Sequence, residues 1–270
     1  MKPIIGIITR PEFSSEKNKT QVVYEEVRSA IASSGGCPIG IIPINTKYLD
    51  GEIYKLLDYC DGIVFQGGDD FTQYELECMK YVHEKNIPTL GICLGMQLMG
   101  YFGGGEMVAL NHFNHKKKDK KYVHNVFIKK CSKLYDIFRE EKIRVNSRHK
   151  DTIINTKLDV VAISSDGLIE AVEDSNKKFF LGVQWHPESM TSYDILESRL
   201  FNYFVSVCRK WFMTTGDIVK EINGKLINGS VNQNFIGQFK TNSKITLKHI
   251  TNEYFKIFII NFKLLTFTFY

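Results

Sequence analysis

Cys93 stands at the centre of a five-residue pattern that could carry nucleophilic chemistry. Gly91 and Gly95 flank it two residues away on either side, a short apolar run precedes it, and a helical pattern follows it. This is the spacing of a tight strand-to-helix turn, in which side chains at the flanking positions would clash. At a helix N-terminus, unpaired N–H groups and the macrodipole favour a thiolate. A buried cysteine in a glycine-containing turn explains the same five residues equally well.

A base and a carboxylate that could orient it occur together much later in the chain. His186 directly follows a predicted strand and is fixed by Pro187, and Glu188 could hydrogen-bond the second imidazole nitrogen. A packed turn with a satisfied histidine is the competing interpretation. Together with Cys93, this pair would suit acyl transfer, with the cysteine as nucleophile and the histidine as base and later acid.

Acyl transfer also needs donors for the oxyanion, and two backbone positions are candidates. Gly67 and Gly68 follow a predicted strand, and Leu94 follows the nucleophile. The carboxyl ends of neighbouring parallel strands place their sites together, so we expect these N–H groups to converge. Asp69 and Asp70 look like a metal-ligand pair, but capping of the following helix is the favoured interpretation.

The elements that must position these residues alternate between strands and helices in the first hundred residues. Apolar, often β-branched runs predict strands over residues 4–8, 37–44, 62–65 and 89–92, and helical stripes predict helices over about residues 22–31, 48–57, 71–85 and 94–102. Residues 11–20 are predicted to be a polar loop. This rhythm predicts βαβ units and a parallel sheet.

Beyond residue 106 the predicted strands are shorter, and we expect some to be antiparallel. They cover residues 123–128, 142–145, 160–163, 169–172 and 179–183, and a helix over residues 193–211 closes the domain. The basic residues 116–121 are predicted to be a solvated loop. The predicted fold is therefore α/β: a flavodoxin-like three-layer sandwich with a mostly parallel central sheet and a nucleophile elbow, plus a smaller antiparallel strand region.

Charge and cysteine usage exclude several classes. Of the 35 Lys and Arg and 30 Asp and Glu residues, seven and three lie in residues 213–270, which leaves 28 against 27 in the body. The body is nearly neutral, so nucleic-acid binding is not predicted. The six cysteines form no C-x-x-C pair, which argues against a zinc site and for a reducing, cytoplasmic compartment. No segment offers the roughly 20 apolar residues of a membrane span.

Two regions differ in character. Residues 1–212 are predicted to be the catalytic domain, and residues 213–270 a C-terminal extension rich in Asn, Lys and Phe. The aromatic run over residues 258–270 is compatible with an edge strand, a partner-binding segment, a membrane contact or an aggregation-prone extension without a role.

Three motifs taken in order are far more specific than any one of them. G-I-C-L-G-M-Q, V-N-S-R-H and G-V-Q-W-H-P-E resemble the class I glutamine amidotransferase-like superfamily, most closely the γ-glutamyl hydrolase group called peptidase family C26. The resemblance covers about residues 3–210. It implies Cys93, His186 and Glu188 as the catalytic residues and Gly68 and Leu94 as oxyanion donors. The substrate-binding residues that it implies are Gly67, Gln97, Ser147, Arg148 and His149.

The predicted function is cysteine-dependent hydrolysis of a γ-glutamyl amide through a thioester, with no metal or organic cofactor. The alternative is a glutaminase component that delivers ammonia to a separate synthase, and Leu94 fits it because leucine is common there in amidotransferase glutaminase domains. A non-catalytic binding protein is a third hypothesis, which the intact catalytic set disfavours. An α/β-hydrolase-type enzyme is a fourth, disfavoured because the carboxylate here follows the histidine. The expected partner is a small γ-glutamyl substrate, and a homodimer is left open.

Overall fold

The computed structural model describes residues 2–43, 51–111 and 114–209, together with the backbone of short strands beyond them. Contacts divide the chain into two compact units, Met1–Arg209 and Lys210–Tyr270. The first unit contains the predicted chemistry.

One large sheet, nine-stranded over the described residues, organises the first unit. Its parallel strands are β1 (Ile4–Ile8), β4 (Cys37–Ile41), β5 (Gly62–Phe65), β6 (Thr89–Ile92) and β13 (Phe180–Val183). They lie side by side in the order β4, β1, β5, β6 and β13. All four residues of β5, β6 and β13 are buried, as expected for strands covered on both faces.

The sheet continues beyond β13 with antiparallel strands. They are β12 (Ile169–Glu173), β11 (Asp159–Ser164), β8 (His124–Ile128) and β9 (Lys142–Val145), in that spatial order. A separate pair joins β7 (Glu106–Ala109) to β10 (Asp151–Ile154). The predicted antiparallel region is therefore an extension of the same sheet and not a separate layer.

Helices cover both faces of the parallel half. The helices are α1 (Glu25–Ser33), α2 (Gly51–Tyr59), α3 (Gln73–Glu84), α4 (Leu94–Phe102), α5 (Lys133–Phe138) and α6 (Ile195–Cys208). Apolar residues of α1 and α6 pack into one buried cluster and those of α2, α3 and α4 into another, so the sheet lies between two cores. This confirms the three-layer α/β fold.

Two local predictions were wrong. Residues 11–20 are not a plain loop, because β2 (Arg10–Phe13) and β3 (Lys19–Val22) form an antiparallel ribbon. Its side chains are mostly exposed, so it lacks the apolar alternation that marks a strand. Helix α3 is capped by Thr72 and not by the aspartates before it: Thr72 and Glu75 form a capping box.

The second unit is described as backbone strands. β14 (Phe212–Thr214) pairs with β15 (Asn234–Ile236), and β16 (Leu247–Asn252), β17 (Phe255–Ile260) and β18 (Lys263–Leu265) form an antiparallel meander. The predicted aromatic segment thus falls partly in β17 and β18, while residues 266–270 lie outside the described residues, as does the predicted helix start at residue 48. Among the described residues, no helix combines the length and apolarity needed to cross a membrane.

Candidate active site

Cys93 lies in a strained turn between β6 and α4. Its backbone has φ 51° and ψ −102°, a region that non-glycine residues rarely adopt. A Cβ at position 95 would lie 2.1 Å from the carbonyl oxygen of Phe65, and one at position 91 would lie 2.7 Å from the backbone of Gly95. Both glycines are therefore required by close backbone packing, which holds the cysteine at the carboxyl end of its strand.

His186 and Glu188 follow the neighbouring strand β13 and face the cysteine. Nδ1 of His186 lies 2.7 Å from Oε1 of Glu188, and both side chains are largely buried. A Cβ at position 67 would lie 3.0 Å from Cε1 of His186 and 3.6 Å from Cβ of Cys93, so Gly67 packs closely against both residues. The three predicted catalytic residues are brought together.

The charges around the imidazole favour its protonated form. Desolvation by burial lowers the pKa of His186, but the negative charges of Glu188 and Cys93 outweigh it and raise that pKa to about 10. The proton therefore resides on the imidazole at neutral pH. A protonated imidazole beside a cysteine is the arrangement that favours a nucleophilic sulfur.

Asn146 fixes the backbone of the histidine. Its Nδ2 donates to the carbonyl oxygen of His186 and its Oδ1 accepts from the backbone N–H of His186, both at 2.8 Å. Gln184, two residues before His186, donates from Nε2 to Sγ of Cys93 at 3.6 Å. Strand β13 and the 146 loop thus set the position of the base relative to the nucleophile.

Two buried side chains build the turn that carries the candidate oxyanion donor Gly68. Gln66 donates to the carbonyl oxygens of Ile8 and Val22, which joins the turn to β1 and β3. Arg10 lies under the turn, where its guanidinium donates to the carbonyl oxygen of Asp70 and pairs with the buried Glu75. The turn is therefore held from below by a charged pair that the sequence did not reveal.

An open cleft leads to Cys93. Predicted site residues on its wall are Gly68, Cys93, Gln97, Arg148 and His149. The wall also carries Lys116, Lys118 and Lys150, against the carboxylates of Asp69 and Asp151. The predicted solvated loop thus contributes two lysines to the cleft wall. A β-bridge between residues 116 and 148 holds this segment beside Arg148.

The remaining predicted residues lie behind the cleft surface. Ser147 is fully buried, its carbonyl accepts from the backbone N–H of Lys117, and its Oγ lies 3.5 Å from Nδ1 of His115. The Leu94 side chain is buried in the first turn of α4. Gln97 reaches the cleft, but its Nε2 donates to the carbonyl of Asp151 at 2.8 Å.

The chain is similar to several known proteins. The Peptidase C26 family model matches residues 72–188. The chain is 28% identical to the gamma-glutamyl-gamma-aminobutyrate hydrolase of Escherichia coli over 241 residues, covering 77% of this chain and 94% of that protein. A glutamine amidotransferase structure from Thermotoga maritima superposes with a TM-score of 0.53 at 14% identity, covering 77% and 99% of the two chains. The CTPS glutaminase domain of Trypanosoma brucei, solved with bound acivicin, gives 0.55 at 18% identity, covering 76% and 93%.

By these matches the chain resembles the class I glutamine amidotransferase-like superfamily. The sequence motifs predicted the catalytic residues, but the side chains that hold those residues in place were not predicted. Asn146 stands inside V-N-S-R-H and Gln184 inside G-V-Q-W-H-P-E, so the motifs contained a signal for both. Arg10 ends the opening run I-I-G-I-I-T-R and Gln66 stands in F-Q-G-G-D-D, but their supporting roles could not be predicted because their partners lie 42 to 65 residues away in the chain.

Proposed function

We propose that this chain hydrolyses a γ-glutamyl amide through a thioester on Cys93. The observation that carries the proposal is the convergence of Cys93, in a strained elbow, with the His186–Glu188 pair at adjacent strand ends. The family match and the hydrolase relative support the same reaction class.

In the proposed reaction, the Cys93 thiolate attacks the γ-carbonyl carbon. The backbone N–H groups of Gly68 and Leu94 stabilise the oxyanion. His186 gives its proton to the leaving amine, the C–N bond breaks, and a γ-glutamyl thioester remains. The neutral imidazole then takes a proton from water, whose oxygen attacks the thioester, and glutamate leaves as the thiolate is restored. Glu188 stays ionised and keeps the imidazole oriented.

The charge of the cleft indicates the substrate. Lys116, Lys118, Arg148 and Lys150 face it, against two carboxylates. Arg148 is the proposed partner of the glutamyl α-carboxylate, since a guanidinium binds carboxylates with two parallel hydrogen bonds. The lysines leave positive charge for a second anionic group. We therefore favour a substrate whose amine half itself carries a carboxylate.

The second candidate function is a glutaminase that supplies ammonia to a separate synthase. The fold shared with the Trypanosoma brucei glutaminase domain is the observation that favours it. Ammonia is a neutral or cationic leaving group, so this function gives the lysine-rich wall no role in the chemical step. Free glutamine as a substrate separates the two functions.

The deciding experiment compares three substrates by glutamate release: γ-glutamyl-γ-aminobutyrate, a γ-glutamyl alkylamine of the same length without the carboxylate, and glutamine. We expect the first to have the highest kcat/KM in the absence of any partner. Acid-quenched wild-type protein should show a γ-glutamyl adduct by mass spectrometry that Cys93→Ala lacks. Unchanged turnover in Cys93→Ala would refute the mechanism, and glutamine turnover that needs an added synthase would favour the second function.

A further inference from the structure

A second group of chemically competent side chains lies behind the cleft wall, away from Cys93. His115, His124 and Glu170 each contribute one atom to a set whose members all lie within 4.8 Å of one another. Oε1 of Glu170 is 3.0 Å from Nε2 of His124 and 3.6 Å from Nδ1 of His115. Nε2 of His149 lies 3.8 Å from the same oxygen.

Hydrogen bonds outside the cluster fix the tautomers of two of these histidines. Nδ1 of His149 lies 2.9 Å from the carbonyl oxygen of Asp151, so this nitrogen carries the proton. Nε2 of His115 lies 2.9 Å from a carboxylate oxygen of Asp166, so that nitrogen carries the proton. The other ring nitrogen of each, Nε2 of His149 and Nδ1 of His115, lies on the side of Glu170.

Glu170 is the anionic centre of this arrangement and has no solvent contact. Among the described residues, neither of its carboxylate oxygens has a well-formed hydrogen bond, and neither do the ring nitrogens of His124 or Nε2 of His149. A fully buried carboxylate is costly unless a positive charge or hydrogen-bond donors lie beside it. A buried carboxylate in such surroundings calls for a cation.

We propose that His115, His124 and Glu170 bind a divalent transition metal, with Zn²⁺ the best match. Neutral imidazole and carboxylate are zinc donors, and two histidines with one glutamate form a known zinc ligand set. A tetrahedral site with bonds of ~2.0–2.1 Å needs ligand atoms about 3.3 Å apart, close to two of the observed separations. Asp166, held by Ser164 at 2.5 Å, supplies the outer hydrogen bond that orients a ligating histidine.

The chain positions of the ligands indicate what the metal would do. His115 immediately precedes Lys116, so one ligand adjoins the cleft wall. His124 lies on β8 and Glu170 on β12, in the antiparallel half of the sheet. The metal would therefore tie the wall segment around residue 116 to the sheet. It has no role in the reaction proposed at Cys93, and the inference holds whichever substrate is cleaved.

Metal content of the full chain tests this site directly. Protein freed of metal by a chelator and then dialysed with Zn²⁺ should retain one equivalent per chain by elemental analysis. Glu170→Gln and His124→Ala should retain none. His83→Ala is the matched control, since His83 pairs with Asp174 outside the cluster. Cys93→Ser should also retain one equivalent, because the site excludes the catalytic thiol.

Co²⁺ loading of the unmutated chain keeps the test independent of variant folding. We expect visible bands of four-coordinate Co²⁺ without the near-ultraviolet charge transfer of a thiolate ligand. A thiolate band, or loss of metal in Cys93→Ser, would place the ion at the catalytic pair and overturn the proposal. Failure of the chelated chain to retain Zn²⁺, or full retention by folded Glu170→Gln, would overturn it as well.

Discussion

Replacing Glu188 by Gln separates the charge of this residue from its shape. The amide can still accept a hydrogen bond from Nδ1 of His186, which the native carboxylate oxygen contacts at 2.7 Å. What disappears is the negative charge, the strongest of the influences that raise the histidine pKa. The substitution therefore asks whether the imidazolium is maintained by its neighbour's charge.

The size of the effect follows from the geometry. Charge centres ~4 Å apart at an effective dielectric constant of about 20 interact by about 4 kcal/mol, or about three pKa units. Without the charge of Glu188, desolvation is opposed less strongly, and the pKa of His186 should fall from about 10 toward the neutral range. A group with a raised pKa stays protonated below that value and loses its proton as pH rises through it. The alkaline limb of kcat/KM should therefore move down by about three pH units.

The assay is glutamate release across pH 5–10.5, with kcat/KM fitted at each pH. At neutral pH we also expect a loss on the order of 10²-fold, because the imidazole is only partly protonated and less well oriented. Glu26→Gln is the control: Glu26 accepts a hydrogen bond from Ser189, next to Glu188, at 2.9 Å. An alkaline limb that stays in place in Glu188→Gln, or moves in Glu26→Gln, would refute the electrostatic account.

Three further predictions address the elbow, the core and the cleft. Gly95→Ala would force a Cβ to 2.1 Å from the carbonyl of Phe65, so we expect a loss of at least ~3 kcal/mol in the free energy of unfolding, measured by urea denaturation. Burial raises the pKa of Glu197 to about 8, so its contribution to the free energy of unfolding falls as pH rises from about 4.5 to 8. Glu197→Gln should have a free energy of unfolding about 3 kcal/mol higher at pH 7 and should not show this fall. Arg148→Ala should raise KM about 10–100-fold with a smaller change in kcat, whereas Arg144→Ala, on a strand away from the cleft, should change neither; equal losses in kcat and kcat/KM would contradict the binding role.

Structure could be predicted from the sequence where local residue patterns determine it. Strands buried on both faces must be continuous apolar runs, so β1, β5 and β6 could be predicted directly. The elbow could be predicted because a nucleophile between close-packed backbones needs glycine two residues away on each side. Alternation of these strands with amphipathic helices then determined the parallel half of the sheet.

Prediction failed where a feature depends on contacts distant in the chain or on exposed backbone. The β2–β3 ribbon exposes most of its side chains and leaves no periodic signal. Ser147 lies behind the cleft surface, where its backbone pairs with that of Lys117, and no local sequence pattern predicts this pairing. The buried pair of Arg10 and Glu75 joins residues 65 positions apart, and its sequence neighbourhoods look like an ordinary loop and helix start.

The two halves of the sheet contribute different parts of the candidate site. The parallel strands end in the turns that hold Cys93, His186 and the Gly68 turn, so the reacting groups depend on the rigid core. The cationic wall comes instead from segments around residues 116 and 148, which are joined to each other by a β-bridge and lie beside the antiparallel half. Changes confined to the wall should therefore alter KM and substrate choice while the thioester chemistry persists. A shared fold with glutaminases consequently says little about the leaving group, whereas the charge of the wall does.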